Sequence, residues 1–132
     1  MPGPTFDAVG VVATDMAASL AFYRRVGVAF PEGSENEQHV ECPLGSGMRL
    51  MLDTEASILG FYPDFDPTPG QRVAFAARLD SPEEVDSLYA ELDVDGFGSK
   101  PPWDSPWGMR YATVHDPDGT HVDLYAMPVA EE

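Results

Sequence analysis

The chain has 132 residues and a formal net charge of −16, from 23 acidic residues against seven lysines and arginines. This length suits one compact domain, and the 43% hydrophobic content excludes compositional disorder, while the negative charge disfavours nucleic acids and anionic membranes as partners. The sequence has no apolar run long enough to span a membrane, no signal-peptide pattern and a single cysteine, Cys42, so we expect a cytoplasmic protein.

The first half of the chain predicts a strand followed by a helix. Residues Phe6–Thr14 are apolar and β-branched, which favours a buried strand. Asp15 can cap a helix over Met16–Val26, and Gly27 is suited to end it. Three short strands are predicted to follow, at Val28–Phe30, His39–Pro43 and Met48–Asp53.

The second half repeats this order after a segment, 55–71, that is rich in proline, glycine and aromatic residues and is interpreted as a linker loop. Arg72–Leu79 predicts a strand, and Ser81 begins a helix with proline and glutamate at the favoured positions. Further strands are predicted near Ser99, at Met109–His115 and at His121–Met127. The repetition indicates a duplicated β-α-β-β-β unit, with modules at 5–54 and 72–128 inside a single domain of residues 1–132.

Two stretches carry a resemblance to a known family. "AFYRRVG" in the first helix and "WGMRYATVHDPDGTHVDLYA" near the C-terminus resemble the glyoxalase/bleomycin-resistance/extradiol-dioxygenase superfamily, also called vicinal oxygen chelate proteins. The resemblance implies an α+β fold in which two βαβββ modules form a U-shaped mixed sheet around a cavity, with the helices outside, usually in a homodimer. Members include metal-dependent isomerases and dioxygenases and metal-free proteins that sequester antibiotics, so the fold does not select an activity.

The resemblance also says where a metal ion would bind. Family enzymes place His, Glu or Gln ligands on the first strand of each module and on the last strand of a module, and the matching positions here are Ala8, Arg72 and Asp123. Ala8 has no donor atom, Arg72 repels a cation, and a lone carboxylate does not hold an ion against water. We therefore expect no metal and no other cofactor.

The carboxylate of Asp123 needs a partner because it lies in the middle of a strand. Strand alternation places it on one face with His121 and Tyr125, while Val122 and its neighbour Leu124 pack under the helices. We predict that Asp123 pairs with Arg72 where family enzymes hold a metal. If the protein is an enzyme, Asp123 and His121 are the candidate catalytic residues.

Aromatic side chains and a few polar ones are predicted to form a ligand pocket. The tryptophans occur in and next to a proline-stiffened loop, a second aromatic group lies in the linker, and both could instead cover a sheet edge or form a dimer contact. Arg49 either grips a ligand or pairs with Asp53 or another surface acid. The acids Asp64, Asp66 and Asp104 suit a positively charged ligand. The predicted ligand-binding set is Arg49, Phe61, Tyr62, Phe65, Arg72, Trp103, Trp107, Met109, Tyr111, Thr113, His121 and Asp123.

The function that these residues favour is metal-independent binding of a small molecule, such as the sequestration of an aromatic or cationic antibiotic, with no catalysis. Two alternatives stay open at this point. One is a lyase, isomerase or dioxygenase that holds a divalent metal in an atypical site at Asp123. The other is an interaction protein whose cavity is vestigial.

Overall fold

The computed structural model describes residues 6–66 and 73–128. The chain divides into two compact units, Met1–Thr68 and Pro69–Glu132, each of which contains one β-sheet with at least one helix packed on it. The predicted α+β class is thus confirmed. Within the described ranges, no helix has the length and apolar character needed to cross a membrane.

The first unit is built around a three-stranded sheet in the order β1-β3-β2, in which β3 runs parallel to β1 and antiparallel to β2. Asp15 caps the first helix as predicted, because its carboxylate accepts a hydrogen bond from the Ala18 amide at 3.2 Å. Leu50 and Leu52 are buried on β3, on which this helix packs. The elements are β1 (Ala8–Ala13), α1 (Met16–Arg25), a 3₁₀ turn (Ser34–Asn36), β2 (His39–Pro43), β3 (Arg49–Thr54) and α2 (Glu55–Phe61).

Two predictions for the first unit are wrong. Residues Val28–Phe30 form no strand, because their backbone groups are bound locally: the Val28 amide donates to the Tyr23 carbonyl, and the Phe30 carbonyl accepts from Arg24. The start of the predicted linker is helical, since Thr54 caps α2 through a hydrogen bond from the Ser57 amide. Both results depend on side-chain contacts that the apolar pattern does not reveal.

The second unit contains a four-stranded sheet in the order β4-β7-β6-β5, with β4 parallel to β7 and the other pairs antiparallel. Ser81 begins the helix as predicted, because its hydroxyl accepts a hydrogen bond from the Glu84 amide at 3.2 Å. The weakly predicted strand near Ser99 is a full strand that includes Trp103. The elements are β4 (Ala74–Arg78), α3 (Pro82–Val94), β5 (Gly98–Asp104), β6 (Arg110–His115) and β7 (His121–Ala126).

Replacing Ser19 with alanine should stabilise the first unit. Ser19 lies fully buried in α1, and its hydroxyl has no hydrogen-bond partner among the described residues. The substitution removes an unsatisfied polar group and adds a better helix former, so the free energy of unfolding should rise by about 1 kcal/mol. Urea unfolding followed by far-UV circular dichroism measures the change. Ser19→Thr is the matched control, since it keeps the hydroxyl, and equal stability of Ser19→Ala and the wild type would contradict the prediction.

Candidate functional site

Paired residues on neighbouring strands present their side chains on the same face of a sheet. The pairing register of the second unit therefore shows which of its side chains share a face. Tyr125 on β7 pairs with Arg78 on β4 and with Tyr111 on β6, and Tyr111 pairs in turn with Trp103 on β5. Arg78, Tyr125, Tyr111 and Trp103 therefore form one row across the sheet, which we call the aromatic row.

A polar row lies beside it. Asp123 on β7 pairs with Ala76 on β4 and with Thr113 on β6, and Thr113 pairs with Lys100 on β5. The strand register is irregular between Lys100 and Trp103, and this irregularity lets residues three apart on β5 pair with residues two apart on β6. The face that carries both rows is called the binding face below.

The predicted alternation on β7 is confirmed, and β6 shows the same pattern. Leu124 and Val122 on β7 are buried, as are the residues Ala112 and Val114 of β6, while the residues between them belong to the binding face or remain partly exposed. Helix α3 packs against both strands on the buried side. The sequence order alone was enough to assign these faces.

Arg110 lies at the start of β6, on the side away from the binding face, as its alternation with Tyr111 predicts. Its guanidinium donates to both carboxylate oxygens of Asp86 on α3, at 2.8 and 3.2 Å, and to Asp104 at 3.2 Å. These contacts answer why a cation is tolerated next to the helix. Asp104, which we expected to attract a ligand cation, therefore accepts a hydrogen bond from Arg110 instead.

The aromatic rings of the binding face form a continuous cluster in which each ring contacts the next. Trp107 makes edge-to-face contacts with Trp103 and with Tyr111, each with a centroid distance of 5.7 Å and interplanar angles of 84° and 83°. Tyr111 stacks on Tyr125 at 6.2 Å and 23°. The Trp107 side chain remains 57% exposed, so the cluster leaves a large apolar surface open to a ligand.

Asp123 finds its partners on the neighbouring strand. The Tyr111 hydroxyl donates to one carboxylate oxygen at 2.6 Å, and the Thr113 hydroxyl donates to the other at 3.0 Å. Burial, as the main cause, and the hydrogen bond to the Asp123 carboxylate, as the second, raise the pKa of Tyr111 to about 12. The Tyr111 hydroxyl therefore remains a donor at neutral pH. Arg72 lies outside the described residues, so its pairing with Asp123 stays a prediction.

The described residues do not fit a metal site of the family type. Ala8 is confirmed on β1, paired with Arg49, where it can supply no donor atom. Both oxygens of Asp123 already accept hydroxyl hydrogen bonds. Over residues 6–66 and 73–128, no group of three or more His, Cys, Asp or Glu side chains is arranged to hold a metal ion.

The first unit contains a charged cluster that the sequence did not reveal. His39 on β2 lies opposite Asp53 on β3, and its ring nitrogens contact Asp53 at 2.6 Å and Glu41 at 2.7 Å. Hydrogen bonds to Glu41 and then to Asp53 raise the pKa of His39, which favours the imidazolium. Arg49 pairs with Glu41 and with Asp7, so the surface-acid alternative predicted for Arg49 describes its contacts. The sequence could have predicted the contact of His39 with Asp53 only if the pairing register of strands β2 and β3 had been assigned.

The remaining predicted site residues are not members of the two rows. Phe61 and Tyr62 are exposed at the end of α2 and Phe65 is half-buried, all in the first unit. A single pocket that includes them and the tryptophans stays a prediction. Met109 precedes β6 and donates its amide to the Ser105 hydroxyl at 3.0 Å, and His121 begins β7 opposite His115.

The chain belongs to the glyoxalase/bleomycin resistance protein/dioxygenase superfamily, whose family model matches residues 5–124. Among solved structures it is similar to a glyoxalase/bleomycin resistance protein/dioxygenase from Nocardioides, with 26% identity over 100% of this chain and 89% of that chain and a TM-score of 0.71. A glyoxalase-related enzyme from Fulvimarina pelagi is 23% identical over 95% of this chain and 89% of its own, with a TM-score of 0.79.

A lactoylglutathione lyase from Agrobacterium tumefaciens is also similar in fold, with 22% identity, 96% of both chains covered and a TM-score of 0.64. No curated protein matches the chain. Members of this superfamily differ in activity, so membership does not fix what this chain does.

Proposed function

We propose that the protein is a metal-independent small-molecule-binding protein whose ligand is a flat aromatic compound. The observation that carries this proposal is the aromatic cluster on the binding face, in which Trp107 is 57% exposed and held edge-on by Trp103 and Tyr111. A flat ligand that stacks on these rings would bury apolar surface and gain the geometric preference of aromatic pairs.

The polar groups next to the cluster support binding without reaction. Asp123 is held by the hydroxyls of Tyr111 and Thr113, so the groups that could act as acid or base are tied to one another by hydrogen bonds. These bonds fix Tyr111 in its stacking position before a ligand arrives, which reduces the entropy lost on binding. Sequestration of an aromatic antibiotic is the concrete form that we propose, with the ligand released chemically unchanged.

The cellular setting is proposed on the family resemblance and the composition. We propose a cytoplasmic homodimer that binds neither nucleic acid nor membrane, in keeping with the net charge of −16 and the single cysteine. Analytical ultracentrifugation measures the oligomeric state directly.

Replacing Trp107 with alanine should weaken ligand binding by about tenfold, because it removes the exposed wall of the cluster and an aromatic contact that contributes about 1 kcal/mol or more. Isothermal titration calorimetry of EDTA-dialysed protein with naphthamide measures the change. Phe6→Ala is the matched control, because Phe6 is an exposed aromatic residue of the first unit.

Chromatography of the recovered ligand completes the test. Unmodified ligand, and affinity that does not depend on added divalent metal, are the expected results. Conversion of the ligand would mean that the protein is an enzyme. Equal binding by Trp107→Ala and Phe6→Ala would show that the aromatic cluster is not the ligand site.

A further inference from the structure

Basic residues are scarce in this chain, and two of the six in the described part of it lie on the binding face. Lys100 is the only lysine and stands in the polar row, opposite Thr113. Arg78 stands at the other side of the sheet, in the aromatic row, opposite Tyr125. Both side chains are exposed. The two cations therefore flank the aromatic cluster on strands β5 and β4.

These two cations differ from the other basic residues whose contacts are described. Arg24 pairs with Glu35, Arg49 with Asp7 and Glu41, and Arg110 with Asp86 and Asp104. Within residues 6–66 and 73–128, neither Arg78 nor Lys100 forms an ion pair with a carboxylate, although the chain contains 23 acids.

The position of Lys100 is defined by the aromatic cluster itself. Its ammonium nitrogen lies 3.9 Å from the ring centroid of Trp103, a cation–π contact that places a positive charge beside the rings. The buried indole N–H of Trp103 has no acceptor in the described part of the chain. The binding face thus carries a positive charge beside its stacking surface.

The only acidic residue of the two rows is Asp123, and each of its oxygens already accepts a hydroxyl hydrogen bond. Asp104, which was expected to suit a ligand cation, pairs with Arg110. A ligand cation would also compete with the Lys100 ammonium for the face of Trp103.

We propose that the natural ligand is an aromatic anion, such as an aromatic carboxylate or phenolate, whose ring stacks on Trp107 and whose charge is held by Lys100. Arg78 adds a second positive charge on the opposite side of the cluster. This inference rests on the proposed function and specifies the class of ligand. It replaces the positively charged ligand that Asp64, Asp66 and Asp104 suggested in the sequence.

Three naphthalene probes test whether the site prefers a negative, neutral or positive ligand: naphthoate, naphthamide and naphthylmethylammonium. All three carry their substituent at the same ring position. Calorimetric titration of the wild-type protein should give about tenfold tighter binding of naphthoate than of naphthamide, as expected for one charge-assisted contact, and weakest binding of the ammonium probe. Lys100→Gln should reduce the affinity for naphthoate by about the same factor and leave that for naphthamide unchanged.

Arg25→Gln is the control, because it removes the same charge from an exposed position on α1 of the first unit. Lys100→Arg should keep the preference for naphthoate, since it keeps the charge. Equal affinity for naphthoate and naphthamide, or tighter binding of the ammonium probe, would overturn the anionic ligand while leaving aromatic binding intact. Failure of all three probes to bind would overturn the proposed function as well.

Discussion

Replacing Asp116 with alanine should lower the free energy of unfolding by about 3 kcal/mol, because two backbone amides lose their buried acceptor. Asp116 is fully buried at the turn between β6 and β7, and one of its carboxylate oxygens accepts from the amides of Asp118 and Thr120 at 2.9 and 2.8 Å. The Gly119 amide closes the turn on the Asp116 carbonyl at 3.0 Å, with Gly119 at a φ of 92°. This is the expected arrangement for aspartate before a Pro-Asp-Gly turn.

Asp116→Asn is the matched control for that prediction. Asparagine keeps an oxygen in the same position, so its cost should be less than half that of the alanine variant. Urea unfolding followed by tryptophan fluorescence measures both, since Trp103 and Trp107 lie in the same unit as the turn. An equal loss in the two variants would mean that the charge of Asp116, and not its acceptor geometry, stabilises the turn.

Replacing Arg24 with alanine should lower the free energy of unfolding by about 2 kcal/mol, because charge-assisted hydrogen bonds to two backbone carbonyls are lost. The Arg24 guanidinium donates to the carbonyls of Phe30 and Pro31 at 3.1 and 2.6 Å and pairs with Glu35 at 2.8 Å. One side chain thus anchors the segment between α1 and the 3₁₀ turn. Far-UV circular dichroism during urea unfolding follows the loss.

Two controls separate the contributions of Arg24. Arg24→Lys keeps the charge and loses the planar fork, so it should be nearly as destabilising as the alanine variant. Glu35→Gln removes only the exposed ion pair and should leave the stability close to that of the wild type. A fully stable Arg24→Lys protein would show that charge alone anchors this segment.

The fold was predictable to the extent that it depends on local pattern. Apolar alternation gave the buried side of β7, and the capping residues Asp15 and Ser81 gave the starts of α1 and α3. The prediction of a strand at Val28–Phe30 was wrong because the Phe30 carbonyl accepts a hydrogen bond from the Arg24 side chain. The two residues are six apart in the sequence, and a hydrophobic pattern does not reveal such a contact. Trp103 was expected in a loop because two prolines precede it in the sequence. It lies in a strand, β5, whose irregular pairing with β6 accommodates these prolines.

The candidate site divides in the same way. The sequence predicted the face of Asp123 on its strand, because side chains alternate along strands, and it included Tyr111 and Thr113 in the ligand-binding set. It did not reveal that the three bond to one another, since the register that sets Thr113 opposite Asp123 depends on where the strands pair.

The sequence by itself determined the superfamily, the α+β class and the alternation of buried and open faces, because these depend on composition, caps and local spacing. Only the tertiary structure decided the partners of each charge. Distances between side chains from different strands follow from pairing register, so the hydroxyls on Asp123 and the ammonium of Lys100 over Trp103 became visible only in the folded chain. The anionic ligand that we propose follows from such contacts, since Lys100 lies beside the aromatic rings and Asp104, expected to suit a cation, pairs with Arg110.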